Sequence, residues 1–275
     1  MESTSNTTYA IPYSRLTVWL VLLFAFGIIG LWLAFTPGGV LGKADAVGYA
    51  ICHRIEVRSF VANGRPLPLC ARCTGIYLGV MTGLGVFAAS GRLRAARLYS
   101  WQVGAVLFLF VAVMGIDGLN SYFHLFPGFT GLYEPRNWLR LTTGVFCGLT
   151  LISVVFPIFN QSMWRNGGDR VSPIGNLKEL AGLSILAGLV VLLTLTQNAT
   201  ILLALGLISA LGTVIVLTMM MTVAFVTATN RYRSYTAYPE MALALLAGLA
   251  MAITMIGLID FARFQVTGTW GGFVF

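Results

Sequence analysis

Long apolar stretches separated by short polar segments make up most of the 275-residue chain. Seven of these stretches approach the roughly 20 residues that a helix needs to cross a membrane core of about 30 Å. Helices are expected rather than strands, because a helix satisfies its own backbone hydrogen bonds in lipid. The pattern predicts an all-α polytopic membrane protein with about seven transmembrane helices. The predicted spans cover residues 16–35, 73–90, 101–121, 138–159, 179–197, 200–225 and 239–263.

The composition agrees with this pattern. Hydrophobic residues make up 57% of the chain and charged residues only 9%, whereas a soluble domain carries about 25% charged residues. The net charge is +8, which in a soluble protein would suggest a nucleic-acid partner. Here the basic residues flank the predicted spans, as the positive-inside rule describes. We therefore expect membrane lipids as partners and no nucleic acid.

Two short loops, "GRLRAAR" and "NRYRSY", contain arginines and no acidic residue. Loops of this kind remain in the cytoplasm and set the orientation of the neighbouring spans. We expect a multi-pass protein of the cell (inner) membrane, with the loop between the first two spans outside the cytoplasm. Residues 1–15 are predicted to form a cytoplasmic tail, residues 16–159 the membrane domain that contains the polar motifs, and residues 160–275 the three further helices.

The loop between the first two predicted spans contains three of the four cysteines and one of the two histidines. Cys70 and Cys73 have the Cys-x-x-Cys spacing that holds a metal ion, and Cys52 and His53 supply a second pair. Three cysteines and one histidine are a known ligand set for zinc, and iron is the other metal we consider. Cys52 and His53 are adjacent, and adjacent side chains point in different directions unless the chain bends between them. If the chain does not bend, His53 cannot bind the same ion as Cys52. Water is then the alternative fourth ligand, with His53 beside it. The sequence predicts a metal site at Cys52, His53, Cys70 and Cys73.

The same cysteines fit a second kind of chemistry. Cys-x-x-Cys is also a dithiol motif, and the cationic Arg72 inside it would lower a thiol pKa. An extracytoplasmic loop meets an oxidising compartment, where disulfides persist. A membrane thiol-disulfide oxidoreductase that uses Cys70 and Cys73, with Cys52 as a third thiol, is therefore an alternative. His53 distinguishes the two hypotheses, because thiol exchange does not require it.

Helices rich in Gly, Ala and Leu with few internal charges suit packing against other membrane subunits. A third hypothesis is therefore a non-catalytic accessory subunit of a larger membrane complex. The composition alone assigns neither a partner subunit nor a reaction.

Ionisable residues within predicted spans are costly and are candidates for function. Asp117 and Ser121 share a helical face near the end of the third span, and Asn137 and Arg140 share a face at the start of the fourth. A short loop joins these ends, so we expect them at the same membrane surface as the cysteines, with Asp117 paired to Arg140. The guanidinium groups would hold an anionic lipid head group or small molecule. The candidate catalytic residues are Asp117, Arg140, Arg58, Arg72 and Asn137.

The stretch "CH", "RSF" and "GRPLPLCARCTGIYLG", which begins at Cys52, resembles a family of bacterial and archaeal integral membrane proteins grouped as a domain of unknown function, DUF2085. An Asp in the following span and an N-x-x-R-x-x-x-G stretch at Asn137, Arg140 and Gly144 also fit this family. The resemblance covers about residues 45–150 and implies no activity. It implies that the Cys/His stretch and the Asp, Asn and Arg residues form one unit.

Overall fold

The computed structural model describes residues 13–124, 126, 128, 131–166 and 168–272. Most of the predicted cytoplasmic tail, residues 1–15, lies outside the described residues. Within the described part the chain is mostly helical. The helices are α1 (Arg15–Phe35), α2 (Gly39–Ile51), α3 (Ala71–Ala89), α4 (Trp101–Phe123), α5 (Asn137–Met163), α6 (Leu177–Leu195), α7 (Ala199–Ala228) and α8 (Ala242–Thr267), with short 3-10 turns at Glu56–Arg58 and Tyr238–Met241.

Among the described residues, seven helices are long and apolar enough to cross a membrane: α1, α3, α4, α5, α6, α7 and α8, the last together with the turn before it. The predicted all-α polytopic membrane fold is therefore confirmed, with the cysteine loop between the first two spans. The predicted boundaries differ from the observed ones by a few residues, because helix ends continue into the polar membrane surface. For example, α5 extends four residues beyond the predicted end of its span at residue 159.

The sequence pattern does not predict α2. This helix has 13 residues, too few to cross a membrane. Its buried face consists mainly of small residues, so no strong apolar stripe indicates it. The helix packs against α7 and α8 and ends immediately before Cys52, so it fixes the point where the cysteine loop begins.

The most extensive contact between two of the described helices joins α3 to α5. A Cβ atom on Gly75 or Gly79 would meet backbone carbonyl groups of α5, and one on Gly144 or Gly148 would meet those of α3. Glycine at these positions lets the two backbones touch, as small residues do in membrane helix pairs. Gly83, the third member of the small-residue series on α3, faces the side chain of Ile152.

A tight hairpin connects the two halves of the cysteine loop. Strands β1 (Val61–Ala62) and β2 (Arg65–Pro66) pair antiparallel. Asn63 and Gly64 lie between them with φ angles of +52° and +74°, the left-handed conformation that two-residue hairpin turns require. The hairpin returns the chain from Cys52 to the start of α3.

Candidate functional site

Three of the four predicted metal ligands lie together at the start of α3. Among the described residues, the ligand atoms of Cys52, Cys70 and Cys73 all lie within 4.8 Å of one another; we call these residues the cysteine triad. A tetrahedral zinc ion with Zn–S bonds of about 2.3 Å requires sulfurs about 3.8 Å apart. Cys52 and Cys70 are buried and Cys73 is partly buried. The spacing is compatible with a single ion bound by all three sulfurs.

The local backbone explains how these sulfurs meet. Cys52 ends α2, and Arg54 then turns the chain with a φ of +52°. The backbone N–H groups of Arg54 and Cys70 donate to Cys52 Sγ at 3.4 and 3.3 Å. Cys70 is the N-cap of α3 and Cys73 lies in its first turn, where the helix dipole favours negative charge. Backbone donors and the dipole therefore both favour thiolate at this position.

Cys70 and Cys52 of the triad differ in the pKa of their thiols. The pKa of Cys70 lies well below its usual range, chiefly because the thiol of Cys52 donates a hydrogen bond to it, with further bonds from Cys73 and His53. The pKa of Cys52 is raised to about 12, chiefly by the hydrogen bond that it shares with Cys70. One thiolate at Cys70, held by its neighbours, is the arrangement that these contacts favour.

His53 lies beside the triad and not within it. Its Nδ1 accepts a hydrogen bond from the backbone N–H of Ile55 at 3.0 Å, which turns the ring towards its own loop. The ring is also a hydrogen-bonding neighbour of Cys70. His53 is therefore not one of the residues whose ligand atoms lie within 4.8 Å of one another, and the fourth ligand stays a prediction.

Charged residues outside the triad hold its loop in place. Asp45 on α2 accepts hydrogen bonds from Arg54, at 2.9 Å, and from Arg65. Arg263 on α8 donates to the backbone carbonyl of Cys52 at 2.7 Å and to two neighbouring carbonyls. Asp45 was not predictable as a residue of the site, because the apolar pattern of the sequence does not indicate the helix that carries it.

Three arginines converge on Ser121, close to the triad. Arg58 donates to the backbone carbonyl of Ser121 at 3.1 Å, and Arg72 and Arg140 donate to its hydroxyl at 3.1 and 3.4 Å. We call Arg58, Arg72 and Arg140 the arginine cluster. The pKa of Arg58 is lowered, first by burial and then by the charge of Arg72, while the nearby Cys70 opposes this shift. The cluster and the triad therefore interact electrostatically.

The ion pair in this region differs from the predicted one. Asp117 pairs with Arg72, at 2.5 Å, and not with Arg140. The close contact of α3 with α5 brings Arg72 over the end of α4, whereas Arg140 donates to Asn137, one turn earlier on its own helix, at 2.8 Å. Asn137 in turn donates to the backbone carbonyl of Val57 at 3.1 Å. All five candidate catalytic residues therefore lie in one connected network.

Tyr133, in the connection between α4 and α5, is a member of the network that the sequence pattern does not indicate. Its hydroxyl donates to Asp117 Oδ1 at 3.0 Å, and Asn120 donates to its backbone carbonyl at 2.8 Å. Burial, followed by the bond to Asp117, raises the pKa of Tyr133 to about 12. No periodic signal identifies a tyrosine in an irregular connection, and only the fold brings it to the site.

The arginine cluster has more positive charge than its surroundings balance. Among the described residues, only Arg72 of the three forms an ion pair, with the carboxylate of Asp117, which is 1% exposed. Within the described part of the chain, Nε of Arg72 is buried and has no acceptor. A buried donor without a partner is costly. An anion with several acceptor oxygens would balance the charge of the cluster.

Comparisons with known proteins match the part of the chain that contains this site. The family model described as predicted membrane protein DUF2085 matches residues 52–154. An uncharacterized protein of Methanocaldococcus jannaschii is 31% identical over 122 residues, which are 44% of this chain and 70% of that protein. An uncharacterized protein of Methanothermobacter thermautotrophicus is 36% identical over 102 residues, 37% of this chain and 80% of that protein. No solved structure matches the chain.

Proposed function

The chain belongs to the DUF2085 family of predicted membrane proteins, and from the positions of its sulfurs and guanidinium groups we propose that its cysteine triad binds one metal ion next to an anion-binding arginine cluster. Zinc is the expected metal, because it accepts thiolate ligands in tetrahedral sites. The observation that carries the proposal is the approach of all three sulfurs to within 4.8 Å of one another. Water or the neighbouring His53 would be the fourth ligand of the ion.

The arginine cluster supports binding of a phosphate- or carboxylate-bearing molecule beside this ion. Guanidinium groups bind such anions through paired hydrogen bonds. Arg58 and Arg72 extend from segments that contain or adjoin the triad, so an ion that orders the cysteine loop would also order the anion site. The expected ligand is an anionic lipid head group or a small anion at the outer membrane surface.

Asp117 has a supporting role in this proposal. Its carboxylate accepts hydrogen bonds from Arg72 at 2.5 Å and from Tyr133 at 3.0 Å. A carboxylate engaged in this way holds an arginine in position, and it is poorly placed to carry a proton to a substrate. Three thiolates also reduce the Lewis acidity of a bound metal. We therefore propose metal-organised recognition of an anion as the function and assign no reaction to the site.

Burial argues against the alternative of thiol-disulfide exchange. An attacking thiolate must be accessible to its partner disulfide. Cys52 and Cys70 are only 4% and 3% exposed, so Cys73 alone offers a partly accessible sulfur. A dithiol exchange enzyme would need the loop to open first. The accessory-subunit hypothesis concerns other chains and stays a prediction.

The test is the metal content of the full-length protein, purified in detergent without chelator and measured by elemental mass spectrometry with a thiol count on the same sample. Cys70→Ser removes a central ligand. Cys147→Ser is the matched control, because Cys147 lies on α5, is partly buried and does not belong to the triad.

We expect about one zinc per chain in the wild type and in Cys147→Ser, and its loss in Cys70→Ser. One iron per chain, lost in Cys70→Ser, would support metal binding by the triad and would identify the metal as iron instead of zinc. Wild-type protein without metal, in which two thiols react only after reduction, would overturn the proposal in favour of thiol exchange.

A further inference from the structure

A polar groove of about 320 Å³ lies at the end of the spans opposite the cysteine triad. Three exposed arginines line it, and each comes from a different connection between helices. Arg97 lies between α3 and α4, Arg170 between α5 and α6, and Arg233 between α7 and α8. The triad is at the start of α3, whereas the groove follows the end of that helix. Arginines far apart in the sequence therefore meet at one surface.

Backbone hydrogen bonds hold the three connections together. The N–H of Arg97 donates to the carbonyl of Val171 at 3.1 Å, and the N–H of Arg233 donates to that of Ser162 at 2.7 Å. Gly168 lines the groove with a φ of +79°, and a Cβ atom there would lie 2.5 Å from a side chain of the α3–α4 connection. Because the backbone makes these contacts, an arginine side chain can be replaced without removing the bonds that shape the groove.

The groove has an excess of positive charge. Asp169 is the one acidic residue among the described residues that line it. In the described part of the chain, no carboxylate lies within ion-pair distance of Arg97, Arg170 or Arg233. Arg233 donates through Nε to the backbone carbonyl of Gln161 at 3.1 Å, which holds its guanidinium group beside another residue of the groove. Three exposed cations and one carboxylate leave a surface that attracts an anion.

The surroundings of the groove favour a lipid as the source of this anion. The positive-inside rule accounts for arginines in such connections but does not require them to meet in one groove. Clustered guanidinium groups bind phosphate through paired hydrogen bonds. Leu98 and Trp101, which follow Arg97, are 54% and 79% exposed, and tryptophan is typical of the head-group level of a membrane. A phosphate in the groove could therefore belong to a molecule whose chains remain in the bilayer.

We propose that this groove binds the phosphate of an anionic lipid head group, with the lipid chains beside the start of α4. A soluble phosphate-bearing molecule has the same recognition chemistry and is distinguished by the experiment below. The inference is independent of the metal and of the arginine cluster, because no residue of either site lines the groove.

Five single substitutions test the groove. Arg97→Gln, Arg170→Gln and Arg233→Gln each remove one charge from it. Lys178→Gln is the matched control, because Lys178 is an exposed cation in the first turn of α6, at the same membrane surface, and does not line the groove. Asp169→Asn removes the opposing charge and keeps the backbone contacts of this residue. It should strengthen binding, a result that a folding defect would not produce.

The experiment is photolabelling of the full-length protein in phosphatidylcholine vesicles with a diazirine-bearing phosphatidic acid. Labelled peptides are identified by mass spectrometry, so that labels at the groove are separated from labels near the arginine cluster at the other end of the spans. The zwitterionic vesicle lipid competes throughout and removes binding by the chains alone. Unlabelled phosphatidic acid and inorganic phosphate are the added competitors, and they distinguish a lipid from a soluble source.

We expect saturable labelling of the peptide that contains Leu98 and Trp101, displaced by unlabelled phosphatidic acid and not by inorganic phosphate. Each arginine substitution should weaken half-saturation about fivefold, the effect of one basic residue on an anionic lipid. Asp169→Asn should strengthen it by a similar factor, and Lys178→Gln should leave it unchanged.

Displacement by inorganic phosphate as effective as that by the lipid would support the groove as a phosphate site and assign it to a soluble molecule. Equal weakening by Lys178→Gln and by the arginine substitutions would overturn the proposal and show that general surface charge attracts the lipid. Labelling confined to peptides elsewhere in the chain would overturn it as well.

Discussion

Arg72, which separates Cys70 from Cys73 in the sequence, donates a hydrogen bond of 2.5 Å to the buried carboxylate of Asp117 on the neighbouring span. The same guanidinium group donates to Ser121, on which Arg58 and Arg140 also converge. The backbone of Arg72 thus lies between two residues of the cysteine triad, and its side chain belongs to the arginine cluster. An ion bound by the triad would fix this backbone and, through it, the geometry of the anion site.

The first prediction concerns this ion pair. Asp117→Asn keeps the shape of the side chain, removes its charge and leaves Arg72 without its counter-ion, while Arg72 remains only 18% exposed. Breaking a buried pair by removing one partner costs about 3 kcal/mol of stability. The measurement is thermal unfolding of the purified protein in detergent. Glu134→Gln, at an exposed acid in the following connection, is the control, and equal effects of the two substitutions would refute the role of the pair.

The second prediction concerns anion binding. Inorganic phosphate should raise the unfolding temperature of the wild type, and Arg140→Gln should weaken the apparent affinity about tenfold or more, because a hydrogen bond to a charged group is lost. Arg136→Gln removes an exposed arginine one turn before Arg140 and should leave the affinity unchanged. A phosphate response that is the same in all three proteins would exclude the arginine cluster as the anion site.

The third prediction concerns the contact between α3 and α5. A Cβ atom on Gly148 would collide with the carbonyl of Ile76, so Gly148→Ala should cost about 1–3 kcal/mol through overpacking. Gly85→Ala, on α3, places its Cβ atom where nothing lies within 4 Å and should not lower the stability. Unfolding in detergent measures both variants. A stable Gly148→Ala protein would show that the helices are not in backbone contact.

The fourth prediction concerns orientation. Glu56 and Ser90 are exposed and lie near opposite ends of α3. On the basis of the basic loops, a membrane-impermeant maleimide added to intact cells should label Glu56→Cys and should spare Ser90→Cys until the membrane is opened. Peptide mass spectrometry separates these labels from the native cysteines. The reverse labelling pattern would place the cysteine loop in the cytoplasm.

Much of this structure follows from the apolar pattern along the chain. Runs of about 20 apolar residues identify the seven spans because lipid imposes that length. The pattern also predicts that Asp117, Asn137 and Arg140 meet at one membrane surface. It does not predict α2, because a short helix with a face of small residues has neither the length of a span nor a strong apolar stripe.

The contacts of the site depend on geometry that the sequence does not express. The pairing of Asp117 with Arg72 instead of Arg140 follows from the close approach of α3 to α5. Tyr133 reaches the site through an irregular connection. Conversely, the meeting of Cys52 with Cys70 and Cys73 was predictable, because the Asn63–Gly64 turn folds the loop back on itself.

The most direct test of the central claim is X-ray absorption spectroscopy at the metal edge of the purified wild-type protein. Binding by the cysteine triad predicts three sulfur ligands at about 2.3 Å and one nitrogen or oxygen ligand at about 2.0–2.1 Å, as in zinc sites with mixed ligands. A bound metal with only nitrogen and oxygen neighbours, or a protein without a metal edge, would contradict the claim that Cys52, Cys70 and Cys73 bind a single ion.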